Sequence, residues 1–156
     1  MRNVLIVGAS GILAPAAVTL RSRGVPVTGV GRSRPMPRGV EALRVDARDA
    51  TALAAALGAR RWTNAVVYAP ALSGASLALL VDAVDARTVV VRTSADADPA
   101  RGEVVVPDDT LQLGWTGDSA SPRWHSPTEV SDAVLAVLDD GVGRTLGRVR
   151  PWAERP

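Results

Sequence analysis

The chain has 156 residues, with 18 arginines and no lysine against 16 acidic residues for a net charge of +2, and it contains four Trp, one Tyr, one His and no Cys. That length fits one domain, residues 1–156, with an ordinary core, and the composition excludes disulfide frameworks, thiolate nucleophiles, Schiff-base lysines and a zinc site built on histidine and cysteine. The arginines are scattered with few aromatic platforms between them, which argues against a nucleic-acid partner; no apolar run approaches the ~20 residues of a membrane span and no basic-then-apolar signal segment opens the chain, so a cytoplasmic protein with no membrane partner is expected.

Residues 3 to 8 read as a first strand, because Val4-Leu5-Ile6-Val7 is the unbroken apolar run of a parallel strand buried on both faces. It leads directly into Gly8-x-x-Gly11-x-x-Ala14. Glycines so placed permit a tight turn and the close approach of a pyrophosphate to a helix N-terminus. Helical spacing from Ile12 to Ser22 ends at Arg23-Gly24, a basic last turn followed by a terminating glycine. Strand two is expected at Val25 to Gly31 and strand three at Val40 to Asp46, joined by a Pro/Arg-rich loop. A helix over Arg48 to Leu57, a strand over Ala65 to Ala69, a helix over Ser73 to Asp85 and a strand over Arg87 to Arg92 follow. Strand and helix alternate five times, so the pattern specifies a Rossmann-like, doubly wound α/β fold of three layers with a mostly parallel sheet and right-handed crossovers.

The last third reads differently. Glu103 to Val106 and Thr110 to Trp115 are expected as short strands. Ser126-Pro127-Thr128-Glu129 carries a strong helix start, with Ser126 to cap, Pro127 at the first helical position and Glu129 where a capping box wants a carboxylate. That helix should run through Leu138 and stop at Gly141-Val-Gly143, leaving Arg144 to Val149 for a final strand.

Ligands of such sheets lie outside the carboxyl ends of the strands. At the end of strand two, where an acid would bind the ribose 2′-OH of NAD, the chain has Gly31-Arg32-Ser33-Arg34, so Arg32, Ser33 and Arg34 favour the 2′-phosphate of NADP(H). Asp46 can accept from an adenine amino group, cap the following helix, or do both. The loops after strands one, four and five offer Ser10, Tyr68 with Ala69-Pro70-Ala71, and Thr93-Ser94. Tyr68 is a candidate proton donor or a structural phenol, and His125 a candidate base or a loop histidine bonded to backbone. Trp115, Trp124 and Trp152 are core or pocket wall.

These motifs, G-A-S-G-I-L-A, G-R-S-R, V-D-A-R-D and A-V-V-Y-A-P, resemble the short-chain dehydrogenase/reductase superfamily, in particular its extended and atypical NADP-binding branches. The L-G-W, R-W-H-S-P-T-E-V and closing P-W-A-E-R-P segments resemble a group of small bacterial short-chain dehydrogenase-like proteins. The resemblance implies that Gly8, Ser10, Gly11, Ile12, Arg32, Asp46 and the Ala69-Pro70 turn bind the cofactor. It does not carry the catalytic half, because the superfamily's Tyr-x-x-x-Lys helix has no counterpart: only nine residues, Ser94 to Gly102, stand in that interval, and there is no lysine. The fold is therefore expected to be truncated relative to full-length short-chain dehydrogenases.

Three activities fit. The first is NADPH-dependent reduction of a small carbonyl, imine, iminium or activated alkene, with proton supply from water, Tyr68, His125 or the substrate itself. The second is NADP(H) binding without turnover. The third is a pocket used for cyclisation, isomerisation or elimination, with Arg123, His125 and Tyr68 as its polar groups. A homodimer is expected, since the missing segment would otherwise cover part of the sheet.

Overall fold

The computed structural model describes residues 2–156. Its centre is β1 (Val4–Val7), fully buried and flanked by parallel strands on both edges, β2 (Val27–Gly31) on one side and β4 (Trp62–Tyr68) on the other. With β3 (Glu41–Arg44), β5 (Val84–Arg92), β6 (Thr110–Leu113) and β9 (Arg144–Leu146), the seven-stranded sheet has the order β3-β2-β1-β4-β5-β6-β9, every pairing parallel. The order reverses at β1, between β2 and β4, and this opens a crevice at the carboxyl ends of those strands.

Alternation along β1 divides the core. Val4 and Ile6 face a layer made by α1 (Ala14–Ser22) and α4 (Pro127–Asp140), while Leu5 and Val7 face α2 (Ala50–Leu57) and α3 (Gly74–Asp82). The expected three-layer, doubly wound architecture is what the chain adopts. One expectation fails: the crossovers do not all share one hand. β3–α2–β4 and β4–α3–β5 travel across the sheet in the same direction as β6–α4–β9, yet α4 lies on the opposite face, so its crossover has the opposite handedness. The usual right-handed rule yields here because α4 finds its apolar partner in α1: Val130, Val134, Leu135 and Leu138 share a cluster with Ala16, Ala17 and Leu20.

Other differences are local. Ile12 and Leu13 belong to the turn, and α1 begins at Ala14 with Pro15 inside its first turn. Asp49, not Asp46, caps α2 by accepting from the Ala52 amide. α3 ends at Asp82, short of Asp85. Glu103 to Val106 forms no strand, because β4 and β6 already fill both edges of β5; the segment is held instead by Arg92, which donates to the Val105 carbonyl. Gly114 breaks the expected strand after Leu113, and β7 (Trp115–Thr116) pairs with β8 (Arg123–Trp124) as a separate antiparallel ribbon. β9 stops at Leu146 because Gly147 turns with φ 74°, after which Arg148 exchanges two main-chain hydrogen bonds with Trp115. Between β5 and β6 there are only two 3-10 turns, Ser94–Ala97 and Pro99–Arg101, so the short interval holds no crossover helix. The α4 start signal is realised in full: the Ser126 hydroxyl accepts from the Glu129 amide and the Glu129 carboxylate accepts from the Ser126 amide.

Among the described residues no helix is long and apolar enough to cross a membrane. Leu111 is fully buried in β6 and belongs to the cluster formed with α4. Leu111→Ala should therefore cost about 2–5 kcal/mol through lost burial and the cavity left behind, read as a lower urea midpoint with an unchanged m-value.

Candidate functional site

The crevice begins at the Gly8 to Ala14 turn. Gly8 has φ 113°, and a Cβ there would press on Leu13 and on Cβ of Tyr68, so the tight passage from β1 requires glycine. Within the turn the amides of Gly11 and Leu13 donate to the Gly8 carbonyl and that of Ala14 to the Gly11 carbonyl. No side chain caps α1, and no acid stands in its first turn. A helix N-terminus left in this condition attracts an anion through its partial positive charge and free amides.

A cleft of about 220 Å³ lies on one side of the turn, over the ends of β1, β2 and β3, lined by Gly8, Ser10, Arg32, Asp46 and Arg48 among others. Arg32, Ser33 and Arg34 are exposed, and neither arginine has a carboxylate partner among the described residues. The Arg34 guanidinium folds back over Gly11, which brings its charge above the glycine turn. One oxygen of Asp46 accepts from the Arg48 amide, and the Arg48 guanidinium donates twice to the Pro70 carbonyl. Arg48 thereby ties the loop after β3 to the Ala69–Ala71 turn after β4.

A second cavity, of about 300 Å³, lies on the other side of the turn. Ile12, Leu113 and Val130 give it apolar walls, and Tyr68, Thr93 and Ser94 bring three hydroxyls from the ends of β4 and β5. Its floor is positioned by Gln112, a fully buried amide that donates to both the Thr93 and Leu113 carbonyls. The Ser131 hydroxyl on α4 donates to the Ile12 carbonyl, which joins this cavity's wall to the glycine turn.

The outer wall is aromatic. Trp115 is fully buried core, with Trp124 and Trp152 packed edge-on to it at 6.5 and 6.0 Å between centroids. Trp124 is half exposed and lines the cavity. Arg155 also lines it, with its guanidinium 4.9 Å from the Trp152 ring centroid and 5.7 Å from that of Trp124.

Of the sequence candidates, the structure brings Tyr68 and His125 into this one cavity, with Ile12. His125 is hydrogen-bonded to a side chain rather than to backbone: its Nδ1 lies 3.4 Å from the Glu129 carboxylate, which can only accept, so Nδ1–H donates. Nε2 is buried without a partner against Gly147, so both ring nitrogens are held within the wall. Arg123 does not reach the cavity; its guanidinium forms an ion pair with Glu129 at 2.8 Å. Gly8, Ser10, Arg32 and Asp46 line the other cleft, with Arg34 over Gly11 and the Ala69-Pro70 turn held by Arg48. Sequence reasoning passed over Arg48 and Arg155, although Arg155 stood within the quoted P-W-A-E-R-P segment. Among the described residues no group of three or more His, Asp or Glu residues is arranged to hold a metal ion.

No family model matches the chain, and no curated protein matches it in sequence. Solved structures do match. A short-chain dehydrogenase/reductase of the wide type from Veillonella parvula DSM 2008, determined in complex with NADP, superposes with a TM-score of 0.63 at 16% identity over 99% of this chain and 98% of its own. The fold is that of the short-chain dehydrogenases/reductases. ChuY, an anaerobillin reductase from Escherichia coli O157:H7, has a TM-score of 0.57 at 14% identity over 90% of this chain and 92% of its own. WbmH from Bordetella bronchiseptica, in complex with NAD+, has a TM-score of 0.64 at 12% identity over 94% and 75%. Against this short-chain dehydrogenase/reductase fold, the two clefts here fall on either side of the glycine turn.

Glu129 joins the α4 cap, Arg123 and His125. The Arg123 guanidinium, and after it the Ser126 amide, hold its carboxyl down to about 2. A depressed carboxyl adds stability that is present above the ordinary carboxylate pKa of ~4.3 and lost as pH falls through the folded value. Acid titration of tryptophan fluorescence should show a step as pH falls from that range toward about 2, and Glu129→Gln should abolish it.

Proposed function

We propose that the chain is an NADP(H)-dependent reductase of a small carbonyl, imine, iminium or activated alkene. The observation that carries this reading is the division of the crevice: two exposed, unneutralised arginines beside a polar cleft on one side of an uncapped helix N-terminus, and an apolar cavity with hydroxyls on the other. Solved proteins of this fold were crystallised with NADP or NAD+.

The residues present fit the cofactor. The Gly8 to Ile12 turn and the start of α1 would hold the pyrophosphate, Arg32 and Arg34 the 2′-phosphate, and the free oxygen of Asp46 the adenine amino group. Bound NADPH supplies hydride at its nicotinamide ring. The apolar walls exclude water, which strengthens every polar contact inside the cavity. Tyr68, Thr93 and Ser94 would orient a substrate carbonyl by hydrogen bonds to its oxygen, and Tyr68 is the hydroxyl acid able to pass a proton to it. His125 serves as wall: Glu129 engages its Nδ1, and its Nε2, though without a partner, is buried against Gly147. With no lysine to assist Tyr68, an iminium suits the site best, because it is neutralised by hydride alone.

Two further parts of the reading are its setting and its assembly. A reductase fed by NADPH would act in the cytoplasm. The sheet face where two 3-10 turns replace a crossover helix, with Val105 exposed on the strandless stretch that follows them, supports a homodimer. At micromolar concentration the sedimentation coefficient should correspond to a dimer; a monomer value would remove that part.

The cofactor test follows nucleotide fluorescence on titration with NADPH and with NADH. NADPH should bind the more tightly, and Arg32→Ala should weaken it about tenfold or more, in line with the loss of a charge-assisted contact, while NADH binding is unchanged. Equal binding of both nucleotides, unaffected by the substitution, would refute the assignment.

A further inference from the structure

Arg155 is a cation placed without an anion. Its guanidinium makes no ion pair and no hydrogen bond among the described residues, yet it does not swing free: the Trp152 and Trp124 rings hold it at 4.9 and 5.7 Å. Stacking on an aromatic face engages the plane of a guanidinium and leaves its N–H groups, which lie in that plane, unspent. Nearby acids are already committed, Glu154 to Arg148 at 3.4 Å and Glu129 to Arg123 at 2.8 Å. The chain builds this posture deliberately. Gly147 turns the backbone after β9, the two Arg148–Trp115 main-chain bonds lay the segment against the ribbon, and Trp152 then packs on Trp115 to present Arg155 beside Trp124.

Arg155 and Trp124 lie on the solvent side of the 300 Å³ cavity whose inner wall carries Ser94, which is buried, with Thr93 and Tyr68. Between these polar groups the lining is apolar, through Ile12, Leu113 and Val130. A ligand matching this arrangement has an anionic group outside, an apolar body and, inside, a polar group able to bond the hydroxyls, a carbonyl oxygen as acceptor or an iminium N–H as donor. A planar carboxylate fits a guanidinium fork with two parallel hydrogen bonds.

We propose that Arg155 is the substrate-carboxylate binding residue of this cavity, and that the protein acts on small organic carboxylates whose apolar body spans from Arg155 to the Tyr68, Thr93 and Ser94 hydroxyls. The inference rests on the cavity being the substrate site of the reductase proposed above. It names the substrate class that reading leaves open.

The test uses hydrocinnamate and octanoate, each against its own primary amide, which keeps the shape and removes the charge. Quenching of tryptophan fluorescence reports occupancy, since Trp124 lines the cavity. Wild type, Arg155→Gln and Arg155→Lys are titrated with and without saturating NADP+, and near-UV circular dichroism checks that the indole cluster is intact in each. In wild type at least one acid should bind about tenfold more tightly than its amide, the value of one charge-assisted hydrogen-bonded contact, and the advantage should shrink as salt is raised. Arg155→Gln should erase the preference for the acid while leaving amide binding unchanged, and Arg155→Lys, which keeps the charge but not the fork, should restore only part of it.

Equal binding of acid and amide, an acid preference that survives Arg155→Gln, or no binding of either probe overturns the inference. So does a variant that loses NADPH affinity in place of carboxylate affinity, because Arg155 would then belong to the cofactor. An Arg155-dependent acid preference in a protein that binds neither NADPH nor NADH would sustain the carboxylate site and refute the reductase. NADPH binding without any acid preference would do the reverse.

Discussion

The Trp115 indole organises everything on the cavity side of the crevice. It is fully buried between the end of β6 and the segment after β9, and its main chain is paired on both sides, to Arg148 and to β8. Two further tryptophans pack edge-on against it, and the carbonyl of Trp115 together with His125 leaves room at residue 147 for a glycine alone. Edge-to-face aromatic pairs add roughly 0.5–1.5 kcal/mol each beyond area burial, so the ribbon, the chain reversal at Gly147 and the outer wall are stabilised together. None of the three is a long element. β7 and β8 have two residues each and β9 has three, too few to hold a shape by ladder hydrogen bonds alone.

The division of labour between the two sides of the turn is chemical as well as spatial. On the side of β2 and β3, Arg32 and Arg34 are exposed and, among the described residues, without a carboxylate partner, suited to a phosphate that brings its own hydration and charge. On the side of β4, β5 and β6 the groups are hydroxyls set in apolar surface, suited to a group that must be stripped of water. His125, Arg123 and Glu129 form one polar cluster: the carboxylate closes the α4 capping box, pairs with Arg123 and engages the imidazole, so the three side chains together hold one loop against one helix. Arg155, on the same side, stacks instead of pairing.

Local signals carried most of the fold. The apolar run of β1, the glycine spacing after it, the alternation of strands and helices and the Ser126–Glu129 capping box each act within a few residues, and each is present where expected. What escaped was long-range. The hand of the β6–α4–β9 crossover depends on α4 meeting α1 across more than a hundred residues of chain, and no pattern inside α4 declares it. Glu103 to Val106 has strand composition but finds both edges of β5 taken. For the site, Gly8, Ser10, Arg32 and Asp46 were legible because their places follow from the strand ends, as were Tyr68, Thr93 and Ser94. Arg155 was not, since its place depends on a chain reversal at Gly147 and on stacking against Trp152, three residues before it, and against Trp124 from β8.

The position of α4 on the α1 face has a further consequence for how this chain can vary. Val130 lines the cavity, the neighbouring Ser131 bonds the Ile12 carbonyl of the glycine turn, and at the far end Arg87 donates to the Leu138 carbonyl just before Gly141 closes the helix. The helix is thus a ruler fixed at both ends, and the separation between turn and cavity is marked off in its residues. One residue inserted or deleted between Ser131 and Leu138 would rotate one end relative to the other by ~100°, unseating either the tie to the turn or the anchor at Arg87. Length drift among proteins built this way should fall in the exposed bends at Asp118–Ser121 and Glu103–Pro107, which do not set the separation between turn and cavity.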